Sequence, residues 1–574
     1  MRMSNLLRFR NGGKADEQAP PAIVVEGRRK ATGGRAPGRV LMTMAALFCV
    51  YAAIGGRLVQ LGLTEEPQVN LPESRPMASR PDLVDRNGAV LATDIKTASL
   101  FAEPRRIVDV DEAIEKLRRV LPDLDYEQTY HRLSSDAGFV WLRRQLSPRQ
   151  QSQILALGIP GLGFRTEKRR FYPGGETASH ILGLVNIDNK GIAGIEKYVD
   201  DQGLADLQAL GLAGPDTLEP VRLSIDFRVQ HVLHDELVQA MDRYRAIAAG
   251  GVILNARTGE VMAMASLPDY DPNNPYNALE KDRLNRMSAG VFEMGSTFKL
   301  FTTAMALDSG LVDLDDSFDA SKPLRIGGFT INDFHGKRRV LTVPEVFIYS
   351  SNIGTAKMAD VVGIQGHREF LKRVGLLDRM KTELPEVAHP TEPREWKKLH
   401  SITISFGHGV ATTPLQTAVA AAAMVNGGKL FPPTFLPRTE EEANAVATQV
   451  ISPETSAKIR YLMRLNVEKG SGSRAEVPGY YVGGKTGTAE KVVNGRYSND
   501  KRFNAFVAQF PANDPDYVVL VVLDEPKPER EGIGATSGLN TAPTVGNIIR
   551  RAAPLLGVEP DFGHEGEALL VSYQ

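Results

Sequence analysis

Ser296 and Lys299 stand three residues apart at the start of a run, STFKLFTTAMALDSG, with helical spacing. Phe298, Phe301, Met305 and Leu307 then share a buried side, and Gly310 is a natural stop. Ser296 falls in the first turn, where unpaired N–H groups and the helix dipole favour developing negative charge. Lys299 lies on the same face. A lysine there, partly desolvated and near another cation, loses its proton near neutral pH and activates the serine as a nucleophile. Alone, the pair reads as a serine N-cap beside a surface lysine. Two further groups change that reading. Ser350-Ser351-Asn352 occupies a short polar break between VPEVFIY and the helix-like IGTAKMADVVG, and Lys485-Thr486-Gly487-Thr488 directly precedes two strand-like runs. Thr486 and Thr488 share a face at period two, and Gly487 removes a side chain where a substrate backbone must approach. By the same alternation Lys485 points away from the threonines and must reach the site from the strand edge or through a twist.

The elements that position these groups follow from pattern. RFNAFVAQF (502–510) and YVVLVVL (517–523) read as buried strands, and GVILNARTGEVMAMAS (251–266) as a hairpin around Arg-Thr-Gly. Strands at both ends of a module with a helical middle imply an α+β fold, an antiparallel sheet covered by helices. Upstream, RPDLVDRNGAVLATD turns at Asn87-Gly88, and amphipathic stretches lie around Ala113–Val120 and Ser147–Leu157. Residues 80–220 therefore form a mixed pedestal module, and 221–555 the module that carries the chemistry. A tail follows at 556–574.

The chain has 574 residues, 68 Lys+Arg against 69 Asp+Glu, and 42% apolar residues. That mix allows several domains and excludes a disordered chain, a collagen-like repeat and a multi-span membrane protein. Near-neutral charge argues against a nucleic-acid binder. One cysteine, Cys49, excludes an internal disulfide framework and a Cys-based zinc cluster. The charge is uneven: residues 1–57 are net +7 and the remainder net -8. Within the first part, Val40–Gly56 is a 17-residue run without charge. We read a cytoplasmic basic tail at 1–39, a single transmembrane anchor at 40–63 and a linker at 64–79. The basic excess before the span puts the N-terminus inside and the large C-terminal part outside. Cleavage near Ala53-Ile54-Gly55 is the competing reading, and the 39-residue lead-in is long for a signal peptide.

Ser-x-x-Lys, Ser-x-Asn and Lys-Thr-Gly in this order form the active-site set of penicillin-binding proteins and serine β-lactamases. The chain resembles the class B penicillin-binding proteins, membrane-anchored peptidoglycan D,D-transpeptidases, from the anchor to about residue 555. RPDLVDRNGAVLA, RRFYPGGETASHILG, GIAGIEKYVD, LSIDFRVQ, SFGHGVATTPLQ and VNGGKL look like that family's secondary motifs. Together they are most similar to its division-specific branch, though the elongation-specific branch shares much of the pattern. The resemblance implies a serine β-lactamase-like transpeptidase domain of the inner membrane's periplasmic side. It makes Ser296 the acylated nucleophile, Lys299 its general base, Ser350 a proton relay held by Lys299 and Lys485, and Asn352 an orienter of the substrate amide. Thr486 and Thr488 would bind the donor's terminal carboxylate, and the backbone N–H groups of Ser296 and Thr488 would form the oxyanion hole. The implied partners are D-Ala-D-Ala donor and amine acceptor stem peptides, β-lactam inhibitors, and a SEDS-type glycan polymerase (FtsW) with other division proteins of the membrane. No cofactor or metal is implied. Met294 stands where the family usually has proline, and no Glu-x-x-x-Asn element follows Ser350, which favours a transpeptidase over a β-lactamase.

Two readings from other classes compete. Gly479–Thr486 matches the P-loop pattern letter for letter, which would make a membrane-anchored ATPase, but that loop must open a helix and here Asn494-Gly495 marks a hairpin instead. A catalytically silent scaffold is the other, and the intact three-motif set opposes it. His180, His335 and His408 have no metal-ligand spacing and read as structural or loop hydrogen bonding, while Asp333 and His335 are candidates for the cleft wall.

Overall fold

In the computed structural model, which describes residues 36–63, 80–203, 218–493 and 496–563, three of the motif-like segments meet in one buried charge cluster. Arg80 donates from Nε to Glu196 Oε2 at 2.8 Å, and Arg170 from Nε to Glu196 Oε1 at 2.6 Å. Asp94 and Asp200 complete it, each paired with one of the two guanidiniums. Around this cluster stands the pedestal sheet. Its strands are β1 (Leu83–Val84), β2 (Val90–Ala102), β3 (Val140–Leu146), β4 (Leu162–Phe171) and β5 (Val221–Arg222). The turn between β1 and β2 contains Gly88 at φ +90, as Asn87-Gly88 predicts. Strand β5 pairs parallel with β1, so the start of the following module completes this sheet. Helices α2 (Val110–Val120) and α4 (Pro148–Ala156) match the two amphipathic stretches. Asp109 caps the first, and Ser147 with Gln150 forms a capping box on the second. Helix α3 (Tyr126–Leu133), absent from the sequence reading, closes a small core over Leu100, Leu117 and Leu142.

The second sheet runs β8-β9-β10-β6-β7, antiparallel throughout, from β6 (Ala248–Asn255), β7 (Val261–Leu267), β8 (Gly483–Val493), β9 (Arg496–Phe510) and β10 (Tyr517–Asp524). Every residue of β10 is buried. The reason is visible in how its side chains divide. Val518, Leu520 and Val522 enter the core shared with α7 (Phe298–Asp308), α9 (Pro414–Val425) and α10 (Pro453–Lys469). Val519, Val521 and Leu523 enter the core shared with α6 (Phe227–Tyr244) and α11 (Thr541–Ala552). A strand covered on both faces has no use for polar alternation. Strand β8 lies at the edge, paired only with β9, and the expected Asn494-Gly495 turn between them lies outside the described residues.

Residues 36–63 form a separate helix, α1 (Ala36–Leu63), whose Leu41, Met42, Phe48 and Tyr51 are exposed. Among the described residues no helix is long and apolar enough to cross a membrane. The linker at 64–79 and most of both expected tails lie outside the described residues.

Removing the central carboxylate charge of the pedestal cluster would leave each guanidinium with one aspartate and take away the buried charge-assisted contacts that join the two. Glu196→Gln is therefore expected to cost about 3 kcal/mol, read as a lower denaturation midpoint by circular dichroism, and an unchanged midpoint would contradict the role of the cluster.

Candidate active site

The chain enters the site through a 3₁₀ turn, Gly295–Thr297, that leads directly into α7. Thr297 Oγ1 donates to Met294 O at 2.8 Å and closes the turn. Sequence spacing predicts one buried side for α7, whereas Phe298–Leu307 is buried all round, Lys299 included. The helix is buried on every face because the sheet, α10 and the long helix α8 (Asn352–Arg373, interrupted at Gly363) enclose it.

Lys299 is 1% exposed, and its Nζ lies 3.0 Å from Ser296 Oγ, 2.5 Å from Ser350 O, 3.1 Å from Ser350 Oγ and 2.7 Å from Asn352 Oδ1. Four oxygens exceed the three protons of an ammonium. A neutral amine fits the same surroundings: it donates to Ser350 O and Asn352 Oδ1, and its lone pair accepts from one of the two serine hydroxyls in range. Burial holds the Lys299 pKa well below the usual lysine range, with the nearby Lys485 charge acting in the same direction and Asp333 opposing. Ser350 occupies the left-handed region at φ +55, a strained backbone for a non-glycine residue that turns both its carbonyl and its hydroxyl toward Lys299. Ser351 caps α8 and donates to Asp333, whose other oxygen accepts from Ile353 N. Asn352 Nδ2 donates to Asn332 O, which fixes the amide so that Oδ1 faces Lys299.

Strand β8 answers the question of Lys485. It is 0% exposed and donates from Nζ to Ser350 Oγ at 3.0 Å and to Thr486 O at 3.2 Å. Alternation holds along the strand, and it is Lys485 and Gly487 that face the nucleophile turn. No twist is needed. Gly487 also has a different reason from the one its sequence suggests. A Cβ there would lie 2.5 Å from Met294 O and 2.6 Å from Thr297 Cγ2, so the close approach is by the protein's own turn. Thr486 and Thr488 point the other way: Thr486 Oγ1 lies 2.6 Å from Ser471 Oγ, and Thr488 Oγ1 accepts from Ser537 N at 3.1 Å. Lys485-Thr486 sits inside a strand, so Gly479–Thr486 is not a phosphate loop opening a helix. Burial lowers the Lys485 pKa to about 7.

Several neighbours carry no sequence signal of their position. Ser471 and Ser537 flank the threonines, and Gly407 packs so closely on the nucleophile turn that a Cβ would fall 1.9 Å from Gly295 O. His408 follows it, while His335 is exposed against Phe334 and His180 is held by Arg283 O. Glu293, three residues before Ser296, accepts from Gly409 N.

Residues 249–550 match the penicillin-binding protein transpeptidase domain, and residues 76–204 the penicillin-binding protein dimerisation domain. Over 491 residues the chain is 41% identical to the probable peptidoglycan D,D-transpeptidase FtsI of Caulobacter vibrioides, spanning 84% of this chain and 82% of that protein. It is 33% identical over 551 residues to the probable peptidoglycan D,D-transpeptidase PenA of Neisseria gonorrhoeae, covering 91% and 93%. It is 30% identical over 551 residues to the peptidoglycan D,D-transpeptidase FtsI of Escherichia coli strain K12, covering 91% and 92%.

A lysine whose folded pKa is depressed destabilises the fold wherever the unfolded chain holds a proton that the folded one does not. For Lys485 that contribution is least above about 10.5 and grows as pH falls to about 7. Wild type is expected to gain roughly 1–2 kcal/mol over Lys485→Met between pH 7 and pH 9, read from denaturation midpoints at the two pH values. Parallel pH profiles would contradict the buried, unpaired state of the lysine.

Proposed function

The chain belongs to the class B penicillin-binding proteins and carries their transpeptidase domain, and from that premise we propose that it cross-links peptidoglycan stem peptides in septal wall synthesis. The observation that carries the reading is the buried Lys299 amine within 3.0 Å of Ser296 Oγ. Neutral Lys299 takes the Ser296 proton as Oγ attacks the penultimate D-Ala carbonyl of a donor stem peptide. Ser350 Oγ, in contact with both lysines, passes a proton to the departing D-Ala amine. Lys299 restores the Ser350 proton; an acceptor amine then attacks the ester, gives a proton by way of Lys299 to Ser296 Oγ as the ester bond breaks, and a cross-linking amide remains. Asn352 orients the donor amide, while Thr486 and Thr488 bind the donor's terminal carboxylate. Gly487 lets strand and nucleophile turn approach. The backbone N–H groups of Ser296 and Thr488 stabilise the oxyanion, a role supported by the position of β8 at the sheet edge. A β-lactam acylates the same serine.

We place the anchor at 40–63, the pedestal at 80–220 and the transpeptidase domain at 221–555, with the N-terminus cytoplasmic and the catalytic domain periplasmic. Support comes from the uncharged run Val40–Gly56 and the net +7 of residues 1–57. Membership of the class B family supports a separate glycan polymerase of the FtsW type as partner, docking on the pedestal and the span.

Fluorescent penicillin is expected to label wild type covalently and to leave Ser296→Ala unlabelled on a denaturing gel. Persistent labelling of Ser296→Ala would refute the assignment of the nucleophile. Depletion in cells is expected to give filaments, whereas rounded cells would favour the elongation role.

A further inference from the structure

Residues 332–339 follow a small hairpin of Leu324–Ile326 with Phe329–Ile331 and border the site on its Ser350 side. Three hydrogen bonds seat this segment on the catalytic motif. Asn332 O accepts from Asn352 Nδ2 at 2.9 Å, and Asp333 accepts from Ser351 Oγ at 2.7 Å and from Ile353 N at 3.0 Å. Beyond Asp333 every residue from Phe334 to Val340 is exposed, Phe334 to 71%. The Lys337 ammonium lies 4.6 Å from the ring centre of Tyr349, the residue before Ser350. Arg338 takes the left-handed backbone region at φ +54, a strained position for a side chain that points away from the fold's own partners.

Charge at this rim is unbalanced. Glu345 answers Arg339 through two hydrogen bonds, at 2.8 and 2.6 Å, and Asp333 turns both oxygens to the start of α8. Among the described residues Lys337 and Arg338 have no carboxylate partner. Two aromatic rings and two unanswered cations therefore border the Ser350 hydroxyl, which contacts both buried lysines. The reaction says which substrate comes to this side. The donor lies along β8 with its carboxylate at Thr486 and Thr488, and the acceptor amine enters beside Ser350 Oγ, where the D-Ala amine departs. That leaving group is a single amino acid, whereas the acceptor is a stem peptide whose chain continues past Ser350. The β8 side is already filled by the donor. The acceptor stem also ends in a carboxylate of its own.

Resting on the transpeptidase reading, we propose that Phe334, Lys337, Arg338 and Tyr349 form the acceptor subsite, which takes an anionic stem peptide by its terminal carboxylate. Lys337 and Arg338 meet the carboxylate, and the rings of Phe334 and Tyr349 carry the aliphatic part of the peptide. These residues orient the acceptor amine toward the ester and take no part in bond making. Both cations are exposed, so their hold on the acceptor weakens as salt rises.

The test gives the full-length protein in detergent one ester donor, a diacetyl-L-lysyl-D-alanyl-D-lactate, and two acceptors. These are Nα-acetyl-meso-diaminopimelyl-D-alanine and the same peptide with its D-Ala carboxylate amidated. The readout is the ratio of peptide transfer to ester hydrolysis. Wild type is expected to favour the free acid over the amide by about tenfold, the worth of one charge-assisted hydrogen bond. In the double variant Lys337→Gln, Arg338→Gln the preference falls to about one, and in Lys337→Arg, Arg338→Lys most of it returns. A wild-type preference near one, transfer to neither acceptor, or an unchanged preference in the glutamine variant overturns the proposal. So does loss of fluorescent penicillin labelling in both double variants, because the segment would then be supporting Ser350. Failure of wild type itself to take the penicillin label would instead overturn the transpeptidase reading.

Discussion

Two lysines buried against one serine hydroxyl set the terms for the rest of the catalytic module. Lys299 and Lys485 both reach Ser350 Oγ, and neither forms an ion pair among the described residues. Buried cations without counter-charge are costly and relieve the cost by giving up a proton. The cost is met by the core around them: an α7 buried on every side, a sheet covered on both faces, and a strand whose backbone pairing holds Lys485 in place. The lysines stay close only because their neighbours are small or strained. Gly487 and Gly407 leave room for the nucleophile turn, and Ser350 accepts a left-handed backbone. Any of these positions could be relaxed in favour of stability, and the amine would then lose its environment.

The pedestal solves a different problem with the opposite chemistry. There Arg80 and Arg170 each pair with one aspartate and share Glu196, so opposite charges join segments 80–94 and 170–200. Buried cations met by counter-charge in one module and left without it in the other separate a joint from a reactive centre. The same distinction could not be drawn from the overall composition, whose near-zero sum hides a basic leader and an acidic remainder.

Much of this was legible in the sequence where chemistry follows local spacing. Ser296 and Lys299 are neighbours by helix geometry, and the strands at 502–510 and 517–523 declare themselves by apolar content. The antiparallel sheet under helices followed from their order. Legibility failed where position depends on register between distant segments. Lys485 reaches Ser350 Oγ because β8 is an edge strand set against the 3₁₀ turn, and strand alternation alone could not say which face that would be. Sequence pattern assigns Gly487 to making room for substrate, yet the atoms nearest it belong to Met294 and Thr297. Glu293, His408 and Tyr497 lie more than 200 residues apart end to end, and nothing local marks them as neighbours. The motif-like segments around Arg80, Arg170 and Glu196 were visible, but their mutual ion pairs were not.

The proposed acylation of Ser296 requires Lys299 to be a neutral base at rest. The most direct measurement is the second-order rate constant for penicillin acylation of Ser296 as a function of pH, in wild type and Lys299→Met. The expected result is an acid limb lying well below 10.5, the ordinary lysine value, and loss of that limb together with most of the rate in Lys299→Met. A limb centred near 10.5 in wild type, or acylation of Lys299→Met at the wild-type rate, would contradict it.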